Sequence, residues 1–186
     1  NLTGWRDWYA AVEREFLELR ATTDVVFVTG LSMGGALALR LAEKYPDEVS
    51  GLVLVNPAVL GFSKMLAVPL LSTVMASAAS IGSDIAEPGV DEVAYDRTPL
   101  KAAHSMMKMW VDVRSSLDLV HCPLLVFRSA TDHVVPAAST AFVLSHVSSD
   151  DTEERVLDHS FHVATMDYDK ELIFRESLGF FGRHSG

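Results

Sequence analysis

Ser32, Asp132 and a closely spaced histidine pair, His159 and His162, are the residues of this chain whose types and order could carry out nucleophilic catalysis. A serine hydroxyl is a weak nucleophile and needs a base to take its proton during attack. An imidazole titrating near neutrality suits that task and can return the proton to the leaving group. A buried carboxylate then fixes the tautomer and stabilises the imidazolium. Ser32 stands in Gly30-Leu31-Ser32-Met33-Gly34-Gly35, directly after the apolar run Val25-Val26-Phe27-Val28 and directly before an alanine- and leucine-rich segment. Strand, sharp turn and helix in that order are the context in which such a serine is exposed on a strained backbone. Gly30 and Gly34 lack Cβ and are expected to let strand and helix approach closely. The helix beginning at Met33 would aim its unpaired N–H groups and its positive dipole end at an oxyanion forming there. The competing reading is a glycine-rich turn with an incidental serine.

The elements around these residues alternate. Trp5, Trp8, Val12, Phe16 and Leu19 recur at spacings of three and four, which predicts an amphipathic helix from Trp5 to Arg20 with Thr3 as its N-cap. A second helix, Met33 to Lys44, should stop at Tyr45-Pro46. Gly51 to Val55 and Pro123 to Arg128 are continuous apolar runs, as expected of strands buried on both faces of a parallel sheet. Glu153 to Leu157 reads as a fourth strand, Ala137 to Val147 as a helix, and Tyr168 to Arg183 as the last helix. Open parallel sheets place functional residues at the carboxyl ends of strands. Ser32 follows the first strand, Asp132 the third, and both histidines the fourth. Asp132 could instead cap the helix after Pro136, and Asp158 could be the acid, although it lies too near the histidines to come from a separate strand end. His104, His121 and His133 have ordinary surface or cap readings, and no pair has metal-ligand spacing.

Three segments follow from this: residues 1–57 as core with the serine turn, 58–119 as an insertion, and 120–186 as core with acid and histidine. About 60 residues is far longer than an ordinary connection and implies a helical cap or lid. No strand is evident in it, and Gly61, Pro69, Gly82, Pro88-Gly89 and Pro99 break its helices. Lys101 to Leu119 reads as helix, and Met106, Trp110 and neighbouring methionines, with Val134, are candidates for an apolar substrate pocket. A Met/Trp stripe at helical spacing is otherwise plain core. Met65 to Gly82 is uncharged and long enough to span a bilayer, but Pro69 interrupts it and four hydroxyl residues dilute it, so a cap helix is expected.

Composition bounds the function. The 186 residues, 49% hydrophobic and 22% charged, suffice for one globular domain. A net charge of −10 argues against nucleic acid or an anionic membrane as partner. Cys122 is the only cysteine, so no internal disulfide forms, and a cytoplasmic setting is expected. Asn1-Leu2-Thr3 spells a glycosylation sequon, given little weight in that setting.

Gly30-Leu31-Ser32-Met33-Gly34-Gly35, Asp132-His133-Val134-Val135-Pro136 and Ser160-Phe161-His162-Val163 together resemble the three signatures of the bacterial carboxylesterase and monoacylglycerol-lipase branch of the α/β-hydrolases. The likeness extends over nearly the whole chain, including the helix at Trp5 and Asp112-Val113-Arg114. It implies an α/β-hydrolase fold with a helical cap. It also implies cofactor-free, metal-free hydrolysis of short to medium acyl esters through an acyl group on Ser32, with His162 rather than His159 as base and Met33 supplying an oxyanion N–H. An acyltransferase or thioesterase would use the same triad. A dehalogenase or epoxide hydrolase would need a carboxylate at position 32. Members of the branch carry further strands before the serine turn and a His-Gly loop giving the second oxyanion donor, and this sequence has no His-Gly. With only four strands, Val25, Val26 and Val28 would form an open edge. The expectation is therefore a truncated or nicked hydrolase, or one completed by another polypeptide. A catalytically impaired binding protein on the same scaffold is the alternative.

Overall fold

The computed structural model describes residues 2–80 and 82–186, with the side chains of 63 and 64 outside the description. Asn1 of the sequon therefore lies outside the described residues. Helix α1, Trp5–Arg20, precedes strand β1, Phe27–Leu31, helix α2, Met33–Lys44, and strand β2, Gly51–Val55. After β2 the chain forms a 3₁₀ turn at Ser63–Ala67, helix α3 at Val68–Val74, strands β3, Ser77–Ala79, and β4, Arg97–Pro99, and helix α4 at Leu100–Arg114. Strand β5, Leu124–Ser129, helix α5, Ala138–His146, strand β6, Thr152–Leu157, and helix α6, Lys170–Arg183, complete the order.

Strands β1, β2, β5 and β6 make one parallel sheet in that spatial order. The register pairs Leu31 with Val55, Val55 with Phe127, and Ser129 with Leu157, so the carboxyl ends of all four strands lie together. Side chains alternate across the strands. Leu52, Leu54, Leu124 and Val126 join a core built from α1, α2, α4 and α5. Val53, Val55, Leu125 and Phe127 face the other way, against Ile173 and Phe180 of α6. Strand β2 is buried throughout, as the apolar run predicts, whereas β6, at a sheet edge, alternates exposed with more buried residues and carries Glu153, Glu154 and Arg155.

Several expectations are corrected. Helix α1 starts where predicted but its N-cap is Gly4, whose N–H donates to the Asp7 carboxylate at 2.7 Å. Thr3 instead accepts from the Trp8 indole at 3.1 Å. The insertion does contain strands. The β3–β4 pair is antiparallel and pairs Ser77 with Pro99 through Ala79 with Arg97. Its strands are three residues each, Ser77-Ala78-Ala79 and Arg97-Thr98-Pro99, too short and too poor in β-branched residues to mark a strand in sequence. The segment beginning at Met65 breaks into a 3₁₀ turn, a helix opened by Pro69, and β3. Among the described residues no helix is long and apolar enough to cross a membrane. Helix α4 ends at Arg114, with a separate 3₁₀ turn at Leu117–Leu119, and buries Met109, Trp110 and Val113 in the main core. Strand β1 lies at the sheet edge as expected, but Val26 is buried and only Val25 is exposed.

Candidate active site

Ser32 occupies the bend between β1 and α2 with φ 54° and ψ −117°, a conformation that L-residues rarely adopt and that stores about 1–3 kcal/mol of strain. Three backbone bonds hold the bend. The Ser32 N–H donates to Val55 at 2.9 Å, and the Ser32 carbonyl accepts from Gly35 and Ala58, each at 3.0 Å. A Cβ on Gly30 would stand 2.4 Å from the carbonyl carbon and oxygen of Gly34, so only glycine fits where strand crosses helix. The expectation for Gly34 itself is not met. A Cβ there meets nothing within 4 Å, because it is the Gly34 backbone that fills the contact. Gly35 is the second tight position, with its would-be Cβ 3.0 Å from Pro57. Met33 takes the first position of α2, where helix N–H groups have no partner within the helix, and its side chain packs against the core.

Asp132 follows β5, and its carboxylate is divided between two tasks. Oδ1 accepts the backbone N–H groups of Val134 and Val135 at 2.8 and 2.7 Å, which closes the turn before α5. Oδ2 lies 2.8 Å from Nδ1 of His162, and both side chains are 7% exposed. The structure sets the two histidines, which the sequence pattern alone barely separated, in different surroundings. His162 is buried on Asp132, while His159 and Asp158 are exposed beyond β6. With Nδ1 engaged, Nε2 is the ring nitrogen left available for a second contact.

The histidine loop is held by residues that the motifs do not contain. Asn56, directly after β2, has φ 45° and is buried. Its Nδ2 donates to the His162 carbonyl at 2.9 Å and to Ser129 Oγ at 3.0 Å, and its Oδ1 accepts the Ser129 N–H at 2.8 Å. Ser129 Oγ in turn donates to the Phe161 carbonyl at 2.7 Å. Asp167 accepts four backbone N–H groups, from Ala86, Glu87, Phe161 and Tyr168, at 2.7–2.9 Å. Burial alone would raise its pKa, but these four bonds outweigh it and hold the carboxyl below the usual carboxylate range. Asparagine tolerates a left-handed backbone, so an Asn-Pro at a parallel strand's carboxyl end was the available signal for Asn56. Asp84 and Asp167 gave none.

The proposed pocket residues divide. Trp110 lines a groove of about 430 Å³ with Leu60, Phe62, Met65 and Met107 of the insertion. Met106 and Val134 instead pack, partly buried, against the main core. A second apolar groove of about 490 Å³ opens between α6 and the exposed side of β1, lined by Leu31, Val55, Ile173 and Phe174. Among the described residues no cluster of three or more histidine, cysteine or acidic side chains could hold a metal ion.

Comparison with known proteins agrees with this geometry. The chain is 38% identical to a thermostable monoacylglycerol lipase of Bacillus sp. (strain H-257) over 99% of its own length and 73% of that protein's. It is 23% identical to a carboxylesterase of Bacillus subtilis (strain 168), covering 96% and 72% respectively. Among solved structures, one from work on the metagenome-derived lipolytic enzymes LipS and LipT superposes with a TM-score of 0.94 at 36% identity, covering 98% of this chain and 75% of that one. A monoacylglycerol lipase of Paleococcus ferrophilus shares the fold, with a TM-score of 0.83 at 18% identity over 98% and 76% of the two chains. The profile of the family described as serine aminopeptidase, S33, matches residues 5–169. The chain therefore belongs to that family, in its lipase and esterase branch of the α/β-hydrolases.

Proposed function

We propose that this chain hydrolyses carboxylic esters of short to medium acyl chains through an acyl-enzyme on Ser32. The observation that carries this reading is the buried 2.8 Å contact between His162 Nδ1 and Asp132 Oδ2, at the same carboxyl end of the sheet as the strained Ser32 turn. In the first step Ser32 Oγ attacks the ester carbonyl while His162 Nε2 takes the hydroxyl proton. The Met33 N–H, at the positive end of α2, receives the oxyanion, and one such donor typically contributes a factor of about 10²–10³ in rate. The tetrahedral intermediate collapses, His162 protonates the departing alcohol, and the acyl group stays on Ser32. Water then attacks with His162 again as base, releasing the acid and restoring the serine. Asp132 holds the tautomer and stabilises the imidazolium that forms. No step calls for a metal or a cofactor.

Residues 58–119 serve in this reading as the cap, and the groove at Trp110 accepts the acyl chain, with Met106 and Val134 forming the packing behind it. The relatives are lipases and esterases, which favours an apolar ester over a peptide despite the family's name. A further polypeptide segment, supplied by a longer form of the chain, is proposed to add to the β1 edge and fill the apolar groove against α6. The Bacillus lipase, of which this chain matches 73%, is long enough to contain one. A reducing, cytoplasmic setting suits the single buried thiol of Cys122.

The test is labelling by a fluorophosphonate together with turnover of p-nitrophenyl esters. Ser32→Ala should abolish both, and Asp132→Asn should lower turnover by about 10⁴-fold. Labelling that persists in Ser32→Ala, or ester turnover indifferent to His162→Ala, would overturn the assignment.

A further inference from the structure

Asp84 belongs to the insertion, yet its side chain is only 13% exposed and sits between the two loops that carry the acid and the base. Its Oδ2 accepts the backbone N–H of His162 at 3.1 Å and that of His133 at 3.2 Å. Its Oδ1 lies 2.7 Å from His133 Nδ1, and its own carbonyl accepts the Val163 N–H at 3.1 Å. His133 is further steadied by an edge contact with the Phe161 ring at 4.8 Å between centroids. Two residues on, the same strap is fastened again. Ala86 and Glu87 donate to the Asp167 carboxylate, which also takes the Phe161 N–H, and the Glu87 side chain pairs with Lys170 at 2.9 Å.

His162 is thereby tied at both backbone groups. Its N–H goes to Asp84 from the insertion and its carbonyl to Asn56 from the sheet, 78 and 106 residues earlier in the chain. With the main chain fixed, the ring has only its side-chain torsions left, and the 2.8 Å contact with Asp132 sets those. One carboxylate therefore holds the backbone next to the acid and the backbone of the base at once. A misplacement of about 1 Å between reacting groups can cost about 10²-fold in rate.

We propose that Asp84 is a positioning residue for ester hydrolysis, holding His162 and the Asp132 loop in register, so that the insertion completes the catalytic site as well as covering it. The inference rests on the serine-hydrolase reading above. It concerns the acceptor oxygens of residue 84, since these are what the two loop N–H groups use.

The experiment compares the wild-type chain with Asp84→Ala and Asp84→Asn, using p-nitrophenyl acetate, whose acyl group is too short to depend on a cap pocket. Asp84→Ala should lower kcat by about 10- to 100-fold, leave KM within about twofold, and slow fluorophosphonate labelling of Ser32 in parallel. Asp84→Asn keeps a carbonyl oxygen for the two N–H groups and an amide N–H for His133 Nδ1, so it should restore most of the rate. A folded Asp84→Ala protein with wild-type kcat would overturn the proposal. So would a change confined to KM, or an equal loss in both variants. Failure of the wild-type chain itself to label at Ser32 would instead count against the serine-hydrolase reading, which separates the two.

Discussion

The proposed nucleophile and the proposed acid–base pair are held by different means. Ser32 is fixed through its backbone alone: a strained bend, three main-chain bonds with Val55, Gly35 and Ala58, and the close crossing of Gly30 over Gly34. The His162 loop is held by side chains from four other places, Asn56, Asp84, Ser129 and Asp167, while Asp132 is set by its own turn and by His162. Strain concentrated in a few adjacent residues needs close packing to sustain it, whereas a loop tied by several separate side chains keeps the remaining ties when one is lost. The serine turn should therefore fail all at once, and the histidine loop by degrees.

Gly30→Ala tests the first half and should have the largest effect. The added Cβ meets backbone at 2.4 Å, so either β1 or α2 must move. A loss of about 3 kcal/mol or more is expected in urea unfolding, together with loss of Ser32 labelling. A Gly30→Ala protein as stable and reactive as wild type would remove the contrast. Asn56→Ala tests the second half at a smaller cost. It leaves the buried Ser129 N–H and the His162 carbonyl without their partner, which should cost about 2–4 kcal/mol. Ester turnover should fall but not vanish, because Asp84 still holds the other side of the loop. A double-mutant cycle with Asp84→Ala sharpens the point. Coupling well outside about 0.5 kcal/mol in the barrier is expected if both act on one loop, and additivity if they do not.

The smallest effect serves as a control, at the end of α2 away from Ser32. Glu43 is buried there, 3.0 Å from the Arg40 guanidinium, with its Oε1 lacking a hydrogen-bond partner. Burial pushes its carboxyl up to about 8, and Arg40 only partly opposes the shift. The folded state thus binds the proton more tightly than the unfolded one. The stability this contributes is full below the ordinary glutamate value near 4.5 and is lost as pH rises towards about 8. Glu43→Gln should flatten that decline in a series of thermal melts from pH 5 to 9, and leave Ser32 labelling unchanged.

The same division explains what could be read from the sequence. The bounds of α1 and α2, the buried strands β2 and β5, and the Ser32 turn follow from periodicity, proline boundaries and apolar runs, all local signals. The pairing of Asp132 with a histidine is legible from strand order. The choice of His162 over His159 needed the family likeness, because both lie in one short loop after β6. Asp84 and Asp167 were not legible, since an aspartate that accepts backbone N–H groups across 78 or 81 residues looks like any surface aspartate. The β3–β4 hairpin was missed for a related reason, as Ser77-Ala78-Ala79 owes its form to pairing with Arg97 to Pro99 rather than to its own preference.

The spatial order of the sheet, β1, β2, β5, β6, repeats the order in which the strands are synthesised. Each new strand joins the outer edge of the one already made, so no earlier pairing has to open to admit it. At ribosomal rates of about 5–20 residues per second, His162 emerges on the order of ten seconds after Ser32. For that interval the nucleophile is present without its base, and Asp84 waits for loops not yet translated. On that reading the nascent chain carries Ser32 in an unarmed form until the last strand has been added.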